Sequence, residues 1–180
     1  MKKYLTCLFS IIELFCYKAF HWKRLRIEGV PVCMKTRNLK VEKGGVLHIG
    51  RLVNVSSNTV FSCLKNAFIR IGDNVYFNRS CSIVSRGNIN IGNQCRFGPN
   101  ICLFDHDHVY GLDGVTDNYK TGSITIGERC WIGANAVILR DSEIGDGCVI
   151  GAGVVFKGKL PPHSLVYNDK SRIMIKPIIE

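Results

Sequence analysis

From Ile126 onward a large hydrophobic residue recurs every six positions, at Ile126, Ile132, Ile138, Ile144, Ile150 and Phe156. Glycine follows directly in four of these six steps, at Gly127, Gly133, Gly145 and Gly151. Four positions after each large residue stands a small or mid-sized apolar or hydroxyl side chain: Cys130, Ala136, Ser142, Cys148, Val154 and Leu160. An earlier tract keeps the rhythm at Ile71, Phe77 and Ile83, slips by two, and resumes at Ile91, Phe97 and Leu103. A period of six fits neither an amphipathic helix, at ~3.6, nor a half-buried strand, at ~2. It fits a chain wound as a triangular prism, in which each step makes one short strand and one corner, and three steps make a coil. The large residue then points inward and the residue four positions on fills a cramped inner slot. The glycine is expected to supply a corner geometry that other residues resist. The pattern predicts an all-β solenoid of short parallel strands over 71–160.

The departures from the rhythm divide the chain. Residues 30–70 read as irregular early coils: Ile49-Gly50 with Val53 is one step, Val55 with Thr59 another, and Phe61 to Ala67 departs from the pattern. Between Leu103 and Ile126 the repeat stops, and a loop at 104–123 is inserted (FDHDHVYGLDGVTDNYKTGS). Loops this long inside a compact repeat are usually functional. Pro161-Pro162 ends the strands. The expected organisation is an N-terminal segment at 1–28, a solenoid at 29–166 and a basic tail at 167–180.

Composition sharpens this picture. A chain of 180 residues, 46% hydrophobic, is most simply one domain with a core. Of its nine cysteines, Cys81, Cys95, Cys130 and Cys148 occupy the inner slot, so they are expected to be buried and unpaired in a reducing compartment. No CxxC pair suggests a zinc ribbon. Residues 1–45 hold ten Lys/Arg against three Asp/Glu, so most of the net charge of +10 lies outside the repeat. Residues 4–20 form an apolar run broken by Glu13 and Lys18 and followed by Lys23, Arg24 and Arg26. Glu13 and the lack of a small-x-small cleavage site argue against a signal peptide, and the uncharged stretches are too short to span a membrane. Two readings remain for this short helix: it lies on an anionic membrane surface, or it caps the open end of the solenoid.

The inserted loop carries the candidate chemistry, in Asp105, His106, Asp107 and His108. In extended backbone the two histidines share a face. A histidine beside carboxylates that orient its ring is a candidate general base; an exposed polar loop without chemistry is the alternative. A metal site lacks a third ligand at suitable spacing, so no metal is expected.

The stretch ITIGERCWIGANAVILRDSEIGDGCVIGAGVVFKGKLPPHSLV resembles the C-terminal coils of hexapeptide-repeat acyltransferases. Within that superfamily it is most similar to maltose, galactoside and polysaccharide O-acetyltransferases, from about Ile71 to Val166, with WIGANAVI and IGDGCVIGAG the specific strings. The resemblance implies a left-handed parallel β-helix, a homotrimer, and active sites between subunits with acetyl-CoA along the coils. The family's catalytic histidine stands nine residues after a Gly-Pro or Ala-Pro pair. Counted from Gly98-Pro99 this is His108, with His106 the rival two residues earlier. The family's acceptor-binding asparagine, thirty residues before that histidine, becomes Asn78, which is equally a corner residue bonding its own backbone. Trp131 matches the tryptophan of the WIG string and either walls the acyl site or packs under the loop. Coenzyme contacts implied by the resemblance fall on Ala134, Lys157, Gly158 and Arg172. Here the usual Thr-Lys pair has become Lys157-Gly158, and the AGNPA-Lys/Arg segment has become YNDKSR.

These readings combine into an expected acetyl-CoA-dependent O-acetyltransferase acting on a sugar hydroxyl, of a surface polysaccharide or lipid-linked glycan precursor. The protein is expected in the cytoplasm, or peripheral on the cytoplasmic membrane face. His108 would act as base in direct transfer, since no serine or cysteine is visibly paired with a base, and Asp105 or Asp107, or a backbone carbonyl, would orient its ring. A soluble acceptor (free sugar, antibiotic or serine) and a non-catalytic trimerisation scaffold are the alternatives. Nucleic acid is not an expected partner, because the positive charge lies on an apolar run without a binding motif.

Overall fold

The six-residue step folds as the hydrophobic rhythm demands. Each large residue lies in a short strand, the chain turns, and the next strand starts on the next face of the prism. The computed structural model describes residues 12, 15, 16, 19, 20, 22–29, 38–169 and 172–177, the last six by backbone alone. The solenoid is built from three parallel sheets, consistent with the left-handed hexapeptide-repeat class. The first sheet stacks seven strands, from Leu25–Ile27 through Val46–Ile49, Phe68–Ile71, Asn88–Ile91, Ser123–Ile126 and Ser142–Ile144 to Lys159–Leu160. The second runs from Asn54–Val55 through Tyr76–Phe77, Arg96–Phe97, Trp131–Ile132 and Val149–Ile150 to Ser164–Asp169. The third runs from Leu39–Val41 through Val60–Cys63, Ser82–Ser85, Cys102–Phe104 and Val137–Leu139 to Val155–Phe156.

Register places equivalent large residues directly above one another. Ile49, Ile71, Ile91, Ile126, Ile144 and Leu160 form one inner column, and Phe61, Ile83, Leu103, Ile138 and Phe156 another. The third column, Val55, Phe77, Phe97, Ile132, Ile150 and Val166, joins them in one continuous core. Phe77 stacks on Phe97 with centroids 4.6 Å apart, and Phe61 meets Phe77 edge-on at 5.2 Å, geometries that suit the ring quadrupoles.

Cys81, Cys95, Cys130 and Cys148 lie inside and unpaired. The glycines, however, serve a different purpose from the one expected. The left-handed corner residue comes two positions after them, and it is often asparagine: Asn58, Asn66, Asn74, Asn100 and Asn135 have φ near +60°. Asparagine tolerates this conformation better than most residues. What Gly133 and Gly145 provide is room. A Cβ on Gly133 would lie 2.6 Å from the Ala152 nitrogen, and one on Gly145 would lie 2.5 Å from that of Pro162. Side chains there would push adjacent coils apart.

Variation in coil length is confined to one edge of the prism. The corner between the third and first sheets takes ten residues from Phe61 to Ile71 and eight from Ile83 to Ile91. It then takes twenty-three from Leu103 to Ile126, six from Ile138 to Ile144 and four from Phe156 to Leu160. The early irregularity, the two-residue slip and the insertion are therefore one structural feature. The inserted segment is more ordered than a loop: His106–Gly111 and Gly114–Thr121 form an antiparallel hairpin. The chain also continues past Pro161-Pro162. Strand Ser164–Asp169 crosses the expected boundary at 166, and Arg172–Pro177 folds back antiparallel on it. At the other end residues 12, 15, 16, 19 and 20 are helical; the rest of the expected segment up to residue 21 lies outside the described residues.

Candidate active site

The hairpin is fixed at its root by a buried carboxylate. Asp105 is fully buried. Its Oδ2 accepts from the Ser85 hydroxyl at 2.5 Å and the Gly87 N–H at 2.9 Å, while Oδ1 accepts from the Arg86 N–H at 2.8 Å. The His106 Nδ1 lies 3.0 Å from the same Oδ1. The Gly122 N–H donates to the Asp105 carbonyl at 2.8 Å, closing the base of the insertion. Gly87 makes this closure possible, since a Cβ there would lie 2.3 Å from the Gly122 oxygen. A buried carboxylate needs such partners. Asp105 thus binds His106 and the hairpin root, and does not reach His108.

Beyond the root, both histidines face Tyr119, as alternation along the strand predicted. The His106 ring meets Tyr119 edge-on at 5.7 Å, and its side chain is 13% exposed. His108 pairs directly across the hairpin with Tyr119, its ring 4.4 Å away and tilted by 49°. His108 itself is exposed, and its Nδ1 lies 3.5 Å from the Thr116 carbonyl oxygen. Of the orienting groups considered, the backbone carbonyl is therefore the one beside His108. Asp107 instead accepts from Arg140 Nε at 2.5 Å, and Arg140 also pairs with Asp141.

Two arginines brace the strands that carry this pair. Arg140, from the coil above, holds Asp107 next to His108. Arg86, from the coil below, lies 3.4 Å from the Tyr119 ring centroid in a cation–π contact. Neither arginine, nor Tyr119 or Ser85, was picked out by sequence reasoning. The available signal was Asp113-Gly114, a hairpin turn marker with Gly114 at φ +98°. It announces the hairpin but not the cross-strand partner of His108, because the register shifts between His108 and Tyr110 and brings Tyr119 opposite His108.

The other candidate residues divide between edges. Asn78 and Ala134 follow strands of the second sheet, so they lie on the corner between the second and third sheets. The Asn78 Oδ1 accepts from the Arg79 N–H at 2.8 Å, the local corner bond considered for it. Ala134 lies over Gly98, where an added Cβ would be 2.7 Å from the Ala134 nitrogen. Trp131 stands on the outer face of the second sheet, 57% exposed, so it does not pack under the hairpin. Lys157 and Gly158 follow a third-sheet strand and share the hairpin's edge, two coils away. Lys157 is exposed, whereas Lys159 pairs with Glu143 at 2.9 Å. Arg172 begins the last described strand, and its side chain lies outside the described residues. Among the described residues no cluster of His, Cys, Asp and Glu could hold a metal ion.

Comparison with known proteins supplies the context. Residues 123–158 match the family described as bacterial transferase hexapeptide (six repeats). A Staphylococcus aureus (strain MRSA252) protein named "Putative acetyltransferase" is 33% identical over 124 residues, covering 68% of this chain and 62% of its own length. A Mycobacterium tuberculosis protein named "Probable acetyltransferase" is 27% identical over 175 residues, covering 88% of this chain and 57% of its own. This chain thus spans about three fifths of the length of the curated relatives it matches. Among solved structures, galactoside acetyltransferase in complex with coenzyme A aligns with a TM-score of 0.52 and 27% identity, covering 71% of this chain and 66% of that one. A hexapeptide-repeat acetyltransferase from Vibrio cholerae shares the fold with a TM-score of 0.61 and 24% identity, over 74% of each chain. In repeat, coil and fold alike, this chain is a hexapeptide-repeat β-helix that resembles the acetyltransferases built on it.

Proposed function

We propose that this protein is an acetyl-CoA-dependent O-acetyltransferase acting on a sugar hydroxyl of a glycan precursor, with His108 as general base. The observation that carries the reading is the placement of His108 on a braced hairpin, its ring against Tyr119 and its Nδ1 toward the Thr116 carbonyl. An Nδ1–H turned to that carbonyl leaves Nε2 free to take a proton. Nε2 removes the acceptor hydroxyl proton as the oxygen attacks the thioester carbonyl. The tetrahedral intermediate then expels the coenzyme thiolate, which takes the proton from the imidazolium. Backbone N–H groups stabilise the oxyanion. Lys157 offers a cation to the coenzyme phosphates from the same prism edge. The likeness to galactoside acetyltransferase supports a sugar acceptor, and the buried free thiols suit the reducing cytoplasm.

A single prism does not bring the candidate residues together, because Asn78 and Ala134 occupy a different edge from His108. The hairpin also exposes Tyr110, Leu112 and Val115 at its far end. Both facts support a homotrimer in which the hairpin of one copy meets the second edge of its neighbour.

Thiol release from acetyl-CoA, measured with free sugars and with lipid-linked oligosaccharides, tests the reading. Acceptor-dependent release with an acetyl mass gain on the glycan is the expected result. Release that no hydroxyl acceptor stimulates contradicts it, and a monomer by light scattering at micromolar concentration contradicts the shared site.

A further inference from the structure

The N-terminal segment takes no part in the chemistry above. Its helical residues Ile12, Phe15, Cys16, Ala19 and Phe20 are spaced by three and four and so share one helix face. That face is apolar and open: Ile12 is 53% exposed, Phe15 56% and Phe20 86%. Trp22 follows at 68% exposure, with the Lys23 ammonium 5.2 Å from its ring centroid. Phe20, Trp22, Lys23 and Arg24 line one shallow depression. This described face is therefore not the one that would cap the solenoid. The segment leads directly into Leu25–Ile27, the edge strand of the first sheet, and is tethered there to the prism.

Charge identifies the occupant. Residues 1–28 carry six Lys/Arg against two Asp/Glu. An apolar face bordered by cations complements a surface with anionic headgroups over an apolar interior. A second copy docked face to face would bring like charges together. Among the described residues no helix is long and apolar enough to cross a membrane.

We propose that the face formed by Ile12, Phe15, Phe20 and Trp22 docks this chain on an anionic membrane surface, with that apolar face in the interface and Lys23, Arg24 and Arg26 at headgroup level. Trp22 sits where tryptophan is favoured, between headgroups and acyl chains. Such binding is reversible and falls with ionic strength, because charge supplies much of it.

The test is co-sedimentation of the full chain with phosphatidylcholine vesicles, alone or mixed with phosphatidylglycerol. Binding at least about tenfold stronger to the mixed vesicles, and weakened by salt, is expected. Lys23→Ala with Arg24→Ala should weaken it about thirtyfold, and Phe20→Ser with Trp22→Ser by at least about tenfold. The substituted side chains are exposed or half-buried, so unchanged thermal unfolding checks that the fold is intact. Equal binding by all variants, or none to the mixed vesicles, overturns the proposal. A drop in oligomer mass on Phe20→Ser/Trp22→Ser, without loss of lipid binding, also overturns it and assigns the face to another copy. Acetyl transfer to a soluble acceptor is not involved, so this test stands or falls apart from the proposed activity.

Discussion

Most inner-slot side chains are small, and they must also suit a wall of backbone carbonyls. Cysteine meets both demands. The thiols of Cys95, Cys130 and Cys148 donate to the carbonyls of Gly127, Gly145 and Pro161 at 3.0, 3.1 and 3.0 Å, each reaching into the next coil. Burial raises the pKa of the Cys63 thiol to about 11 and shifts those of Cys81 and Cys148 upward as well, since the thiolate loses its hydration. A thiol reagent at pH 8 should therefore leave Cys63, Cys81, Cys95, Cys130 and Cys148 unmodified in the native protein and label all five after denaturation, while exposed Cys16 reacts at once. Peptide mass mapping reads this directly. Fast native labelling of any core thiol, or a disulfide among them, would break the account of the inner slot.

At the scale of the element, the hairpin's function rests on its two arginines. Arg140→Ala releases Asp107 and lets the strand carrying His108 shift. Misplacement of a base by about an ångström costs up to ~10²-fold, so turnover should fall about ten- to a hundredfold with little change in KM for acetyl-CoA. Amide exchange over 106–121 should speed up in the same variant, and reversing the pair (Asp107→Arg with Arg140→Asp) should restore part of both. Turnover that holds while exchange rises would mean the hairpin's precision does not matter. The sequence made the coils legible, because six-residue spacing admits few alternatives and every solenoid strand from Phe68–Ile71 to Val155–Phe156 carries a large inward residue. It marked the histidines too, by interrupting that spacing. It left unread what depends on neighbouring coils: why Gly133 must be small, that Asp105 serves His106, and that Arg86 and Arg140 converge on the hairpin from 20 residues before His106 and 32 after His108. Those contacts are set by coil register, which depends on the variable corner.

For the whole molecule, the prism confines its irregularity to one edge and keeps the other two in strict register. The variable edge carries the hairpin and Lys157; the regular one carries Asn78 and Ala134. In the proposed homotrimer, one copy's variable edge would pack against another's regular edge around a closed ring, each contact completing one site. The central claim is that His108 takes the proton at that site, and turnover at saturating acetyl-CoA for His108→Ala and His106→Ala tests it most directly. A general base contributes ~10²–10⁴-fold, so His108→Ala should lose at least about a hundredfold with acetyl-CoA affinity nearly unchanged, and His106→Ala less than about tenfold. A dead His106→Ala beside a nearly normal His108→Ala would move the base two residues back, and full turnover in both would contradict the mechanism.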